Sequence, residues 1–175
     1  MPSFPPILGD NPHSLILGTM PSRKSLAEQQ YYAHPRNAFW WIMAQITNTP
    51  ADADYTKRVS NLQDAGYALW DVLLDCQRPG SLDSDIRRDS EKANDMVALI
   101  DDHPGIKLIA FNGAAAKQIF MRHCKHVLQQ FPHLEWVQLP STSPAHAAMT
   151  RAEKLAHWRT ALELTTADSM ARTVA

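Results

Sequence analysis

Cysteine is scarce in this chain: Cys76 and Cys124 are the only two in 175 residues. Two thiolates cannot by themselves ligate an iron–sulfur cluster or close a structural zinc site. They read as free thiols of a reducing compartment. His123, Cys124, His126 and His133 crowd one stretch, but the cluster lacks closed ligand spacing and an acidic partner, so no metal is expected. Long apolar runs are missing as well. None approaches the ~18–20 residues a membrane span needs, and Met1 to Asp10 lacks the basic-then-apolar order of a signal peptide. The expectation is a cytoplasmic protein with no membrane contact. An excess of one charge is also missing. A net charge of −1 excludes a protein that coats nucleic acid through a broad basic surface. It leaves room for one that grips a few phosphates with local arginines and helix N-termini.

What is present suits one globular domain. At 45% hydrophobic and 20% charged, the chain can bury a substantial core. A single domain over 1–175 is expected, with its core in 10–165 and a polar, frayed tail at 166–175. Ser14 to Gly18 is a short apolar run ended by glycine, as in a buried parallel strand. Further strands are expected over Tyr67–Val72, Ile106–Phe111 and Leu134–Leu139. Helices are expected over Asn37–Thr47, Asp54–Asp64, Glu91–Asp102, Ala114–Gln129 and from the Thr150-Arg151-Ala152-Glu153 capping box to about Thr165. Residues 75–90 show no apolar period and read as a surface loop. Strands alternating with helices predict a three-layer α/β/α sandwich around a central, mostly parallel four-stranded sheet.

Ligands of such a sheet bind at the carboxyl ends of its strands. The loops leaving those ends carry Gly18-Thr19-Met20-Pro21-Ser22, Asp71, Asn112-Gly113 and Pro140-Ser141-Thr142-Ser143-Pro144. Familiar templates do not fit. No phosphate loop ends in Gly-Lys-Ser/Thr, the six glycines lack dinucleotide-fingerprint spacing, and no Gly-x-Ser-x-Gly elbow exists. The loops instead offer amides, hydroxyls, aromatics and proline-fixed backbone. Such a set can stack on a flat heterocycle, hydrogen-bond its edges and hold one water. The stretch Tyr31-Tyr32-Ala33-His34-Pro35-Arg36-Asn37-Ala38-Phe39-Trp40-Trp41 belongs to the loop leaving the first strand. Asn37 can cap the helix that follows or face a ligand. Asn112 can be a turn residue or read a ligand, and Asp71 a strand-end turn residue or a pocket lining. Trp40, Trp41 and Trp158 read as core.

In this order and placement, the segments resemble the uracil-DNA glycosylase superfamily. Gly18 to Ser22 resembles its first motif, and Leu139 to Ala145 its second. Ala33-His34-Pro35-Arg36-Asn37-Ala38-Phe39-Trp40 is similar to the segment that mismatch-specific members carry between them. Those members place a catalytic Asn where this chain has Met20, and a thioether cannot orient water. The hypoxanthine-DNA glycosylase branch is the better match, since its key Asn lies in the His-Pro-Arg-Asn segment, here Asn37.

The resemblance implies a monofunctional glycosylase that releases a deaminated base, hypoxanthine from deoxyinosine, acting as a monomer on DNA without a cofactor. Asn37 would hold the attacking water. Tyr32 would stack on the extruded base, with Gly18, Thr19, Met20, Pro21, Ser22, Asp71 and Asn112 around its edge. Arg23, Arg36, Ser141, Thr142, Ser143, Pro144, Ala145 and His146 would meet the duplex. Two rivals stay open: a uracil-DNA glycosylase acting on G:U mismatches, and a non-catalytic nucleic-acid-binding module of the same fold.

Overall fold

The structure, a computed structural model, describes the backbone of residues 2–173 and side chains as far as Glu163. Its centre is the run Leu15-Ile16-Leu17, inaccessible to solvent at every position. Strand β1 (Ser14–Gly18) alternates its side chains between two faces, and both faces are covered. Leu15 and Leu17 pack with Ala68, Ile109 and Phe111 on one side, while Ile16 packs with Leu69 and Ala110 on the other. That is why the strand is apolar throughout rather than alternating.

Strands β2 (Tyr67–Asp71), β5 (Leu108–Asn112) and β6 (Glu135–Leu139) complete a sheet of order β2-β1-β5-β6, with every pairing parallel. Helices α4 (Met96–Asp102), α5 (Ala114–His123) and α6 (Lys125–Gln130) bring Met96, Ile100, Phe120 and Val127 to the first face. Helices α2 (Phe39–Ile46), α3 (Tyr55–Asp64) and α7 (Arg151–Thr173) bring Phe39, Leu62 and Trp158 to the other. The expected three-layer sandwich is present. Phe39, Phe111 and Trp158 are fully enclosed. Burial of such a ring is worth about 1.5–3 kcal/mol.

Several local expectations are corrected. The loop leaving β1 holds a short helix, α1 (Arg23–Glu28), capped by Ser22 through the Ser25 amide. The helix expected from Glu91 starts only at Met96, with Asp95 as its cap. The residues before it form β4 (Lys92–Ala93), which pairs antiparallel with β3 (Leu73–Asp75). The single helix expected over Ala114–Gln129 breaks at Cys124, whose φ of −124° leaves the helical region. Trp41 is half-buried rather than core, with the Arg151 guanidinium 4.4 Å from its ring centroid. The capping box at Thr150 forms: its amide donates to Glu153 Oε2 (2.7 Å), and the Glu153 amide donates to Thr150 Oγ1 (3.2 Å). Helix α7 continues past Thr165, while the side chains of the tail at 166–175 lie outside the described residues.

Candidate active site

Strand order reverses between β1 and β5, and a crevice opens there beyond the carboxyl ends. Register brings the predicted loops to one level. Gly18 pairs with Asp71, and Asn112 with Leu139, so the loops after all four strands leave the same edge. They enclose a cavity of about 280 Å³.

Gly18 is required by close approach. A Cβ there would lie 2.5 Å from Asp71 Oδ1 and 2.7 Å from the Tyr32 hydroxyl. These two side chains therefore meet over bare backbone at the cavity floor. Tyr32 holds a left-handed φ of 52°, rare for a bulky side chain. Its ring stacks on Phe39 at 4.2 Å between centroids, which fixes the plane of the ring. The Tyr32 hydroxyl and Asp71 Oδ2 are both enclosed, and neither has a hydrogen-bond partner. Buried polar groups are ordinarily paired, so two orphans in one cavity mark a place for a polar ligand.

Charge is concentrated behind that floor. Burial pushes the Asp71 carboxyl up to about 7, the neighbouring Asp83 adds to the rise, and Arg78 opposes it. Asp83 is itself raised by burial, against its bond from Thr19 Oγ1 (2.6 Å) and the Arg78 charge. Burial, then the Asp71 charge, drive the Tyr32 hydroxyl well above its ordinary value. The Asn112 amide eases that shift without meeting hydrogen-bond geometry. Arg78 is 6% exposed and donates to the Pro21 carbonyl, tying the 75–90 stretch to the first motif.

The opposite wall joins the two halves of the chain. The Ala38 amide donates to the Thr142 carbonyl at 3.0 Å. Asn37 Oδ1 accepts from the Phe39 amide at 3.0 Å, so the residue does brace the helix start. Its Nδ2 makes no hydrogen bond among the described residues, and the side chain lines the cavity. Asn112 faces it from β5 and is engaged with Thr142. The Asn112 Nδ2 donates to Thr142 Oγ1, and the Thr142 amide donates to Asn112 Oδ1, both at 2.9 Å.

Gly18, Thr19, Met20, Pro21, Ser22, Tyr32, Asn37, Asp71, Asn112, Ser141, Thr142, Ser143, Pro144 and Ala145 all line this cavity. Arg23, Arg36 and His146 do not. Arg23 is exposed and donates to the Pro79 carbonyl, Arg36 is exposed, and the His146 amide closes a turn on the Ser143 carbonyl (3.1 Å). Met20 is buried at 6% exposure.

The 75–90 stretch is not simply a surface loop, for Ser81, Leu82 and Asp83 complete the lining. Nothing in its composition marks Asp83, which acquires its role from contact with Thr19. Lys154, also missed, is 4% exposed and donates to the Ser143 carbonyl at 3.2 Å, which fixes the second motif from α7. Trp158 Nε1 braces the same loop through Pro140 at 2.9 Å. Among the described residues no side-chain group fits a metal. The expectation that no acidic residue approaches the His123 cluster is corrected, however: Glu91 meets His123 and Arg122.

A sequence profile of the Uracil DNA glycosylase superfamily matches residues 5–164. The chain belongs to that superfamily. Two curated relatives are similar, both named hypoxanthine DNA glycosylase. The one from Methanosarcina acetivorans is 40% identical over 114 residues, which is 65% of this chain and 71% of the relative. The one from Methanosarcina barkeri is 36% identical over 111 residues, 63% of this chain and 69% of the relative. A solution NMR structure of a candidate uracil DNA glycosylase from Methanosarcina acetivorans superposes with a TM-score of 0.74 at 33% identity. The match covers 91% of this chain and 96% of that one. As a member of the superfamily the protein is a DNA glycosylase, and among the described residues no helix is long and apolar enough to cross a membrane.

Proposed function

We propose that this glycosylase hydrolyses the N-glycosidic bond of deoxyinosine in DNA and releases hypoxanthine. The observation that carries the reading is the placement of Asn37. It is the cavity's amide with a free Nδ2, while the first-motif position holds the buried thioether of Met20. The names of the two curated relatives support the same base.

The target nucleotide leaves the stack to reach the cavity, at least cost when mispaired or damaged. The exposed face of Tyr32 receives the ring. The unpaired Tyr32 hydroxyl and Asp71 Oδ2 meet the polar edge of the base. Scission moves the bonding electron pair from C1′ to the purine, leaving cationic character on the sugar. Donors fixed toward the departing base lower that barrier. Asn37 holds a water against the sugar by hydrogen bonds. An amide is too weak a base to ionise that water, but a cation-like carbon needs no stronger nucleophile. The water oxygen bonds to C1′ as its proton passes through solvent to the departing purine anion, and the step calls for no cofactor. Arg23, Arg36 and the Ser141–His146 loop take the duplex. We read the protein as a monomer of the cytoplasm; Cys76 and Cys124, both buried and not joined in a disulfide, suit a reducing compartment.

The test is single-turnover cleavage of duplexes containing inosine, uracil or xanthine. Excision of hypoxanthine with little uracil release is the expected result. Preferential uracil release would replace the base assignment, and binding without release of any base would leave a non-catalytic reader.

A further inference from the structure

A second hollow of about 300 Å³ adjoins the base cavity and shares Tyr32, His34 and Asn37 with it. The two differ in charge. The base cavity is lined by Asp71 and Asp83 and by no arginine or lysine. The adjoining groove is lined by Arg58 and Arg151 and by no acidic residue. Neither arginine forms an ion pair among the described residues, whereas Arg122 and Arg159 do. Arg151 lies over the Trp41 ring. A stacked guanidinium keeps its plane fixed and its N–H edge free, the arrangement that suits a phosphate.

This segregation matters once a nucleotide is extruded. The uncharged base can enter an acid-lined cavity, but the phosphodiesters on either side of it cannot. They need a route next to the cavity with unspent positive charge. We propose that the Arg58–Trp41–Arg151 groove carries the backbone of the damaged strand on one side of the extruded nucleotide, each arginine meeting one phosphate. The inference rests on the glycosylase reading and adds a binding track outside the first and second motifs.

The test measures binding to a duplex carrying a tetrahydrofuran abasic analogue, so that no turnover is needed. The parent should show a slope of log affinity against log salt of about −2 to −4, set by few phosphates. Arg58→Gln and Arg151→Gln should each weaken binding about 3–10-fold and reduce the slope by about 1. Arg151→Lys should keep the slope. Single methylphosphonate linkages placed on either side of the lesion then locate the contact. One neutral linkage on one side should weaken the parent but cost an arginine variant nothing more. Parent-like affinity and slope in both folded variants, or no linkage coupled to either arginine, would overturn the groove. Failure of the parent to release hypoxanthine would instead strike the base assignment, while the linkage coupling would still report on the groove.

Discussion

Asn112 and Thr142 exchange two hydrogen bonds of 2.9 Å, clasping the end of β5 to the second motif. Thr142 is 1% exposed, so Thr142→Val removes the acceptor of Asn112 Nδ2 at a buried position. An unsatisfied buried donor costs about 1–3 kcal/mol. Urea denaturation should show a loss of that size. A double-mutant cycle with Asn112→Ala should give strongly non-additive losses, since both variants break the same clasp. Additive losses would mean the two residues act independently.

Asn37 braces the helix start and, in the proposed reading, holds the water; two readouts on one variant tell these apart. The N-cap of α2 is Ala38, and Asn37 braces it from the preceding position. Asn37→Ala removes the bond to the Phe39 amide, worth about 1 kcal/mol. A domain of this size ordinarily tolerates that loss. It also removes the amide that is proposed to hold the water. Single-turnover release of hypoxanthine should fall by about 10²-fold or more while circular dichroism shows a folded protein. A rate near the parent's would reduce Asn37 to a helix brace.

Asp71 makes stability depend on pH in a stated direction. Its folded value is raised from 3.8 to about 7, so the folded state holds a proton that the unfolded chain has released. The contribution is fully present below about 4 and is lost as pH climbs from there through 7. Asp71→Asn removes this group. Relative to the parent it should be stabilised at pH 8, by an amount on the order of a few kcal/mol, with the difference shrinking toward pH 4. Thermal melts of both proteins across that range decide it. If the neutral acid donates to the base, excision by the parent should also decline above pH 7, and Asp71→Asn should lack that decline.

Tyr32 offers a ring and an unpartnered hydroxyl, and the two are separable. Tyr32→Phe keeps the stack on Phe39 and should cost little on folding. Tyr32→Ala should lose about 1–3 kcal/mol of binding to inosine-containing DNA, the usual worth of base–aromatic stacking. Equal weakening on undamaged DNA in a fluorescence anisotropy titration would assign Tyr32 to the scaffold.

The sheet was legible because β1, β2 and β5 are short apolar runs closed by Gly18, Asp71 and Asn112, and those strand ends in turn pointed to the site. The back of the site was not. Asp83 reaches Thr19 and Arg78 reaches Pro21 across more than fifty residues of chain. Such contacts leave no period in a polar stretch, so 75–90 read as surface. Glu91 was hidden in the same way, meeting His123 only after β3 and β4 pair. The break at Cys124 escaped because Val127 and Phe120 keep helical spacing across it, with both buried.

The bond from the Ala38 amide to the Thr142 carbonyl belongs to the main chain. The segment that carries Asn37 and the loop that carries Thr142 are thus fastened by atoms that every residue except proline supplies. Side chains on both banks can change to suit another base while the seam between them stays shut. The selectivity of this scaffold is therefore free to drift without unmaking the chamber in which it acts.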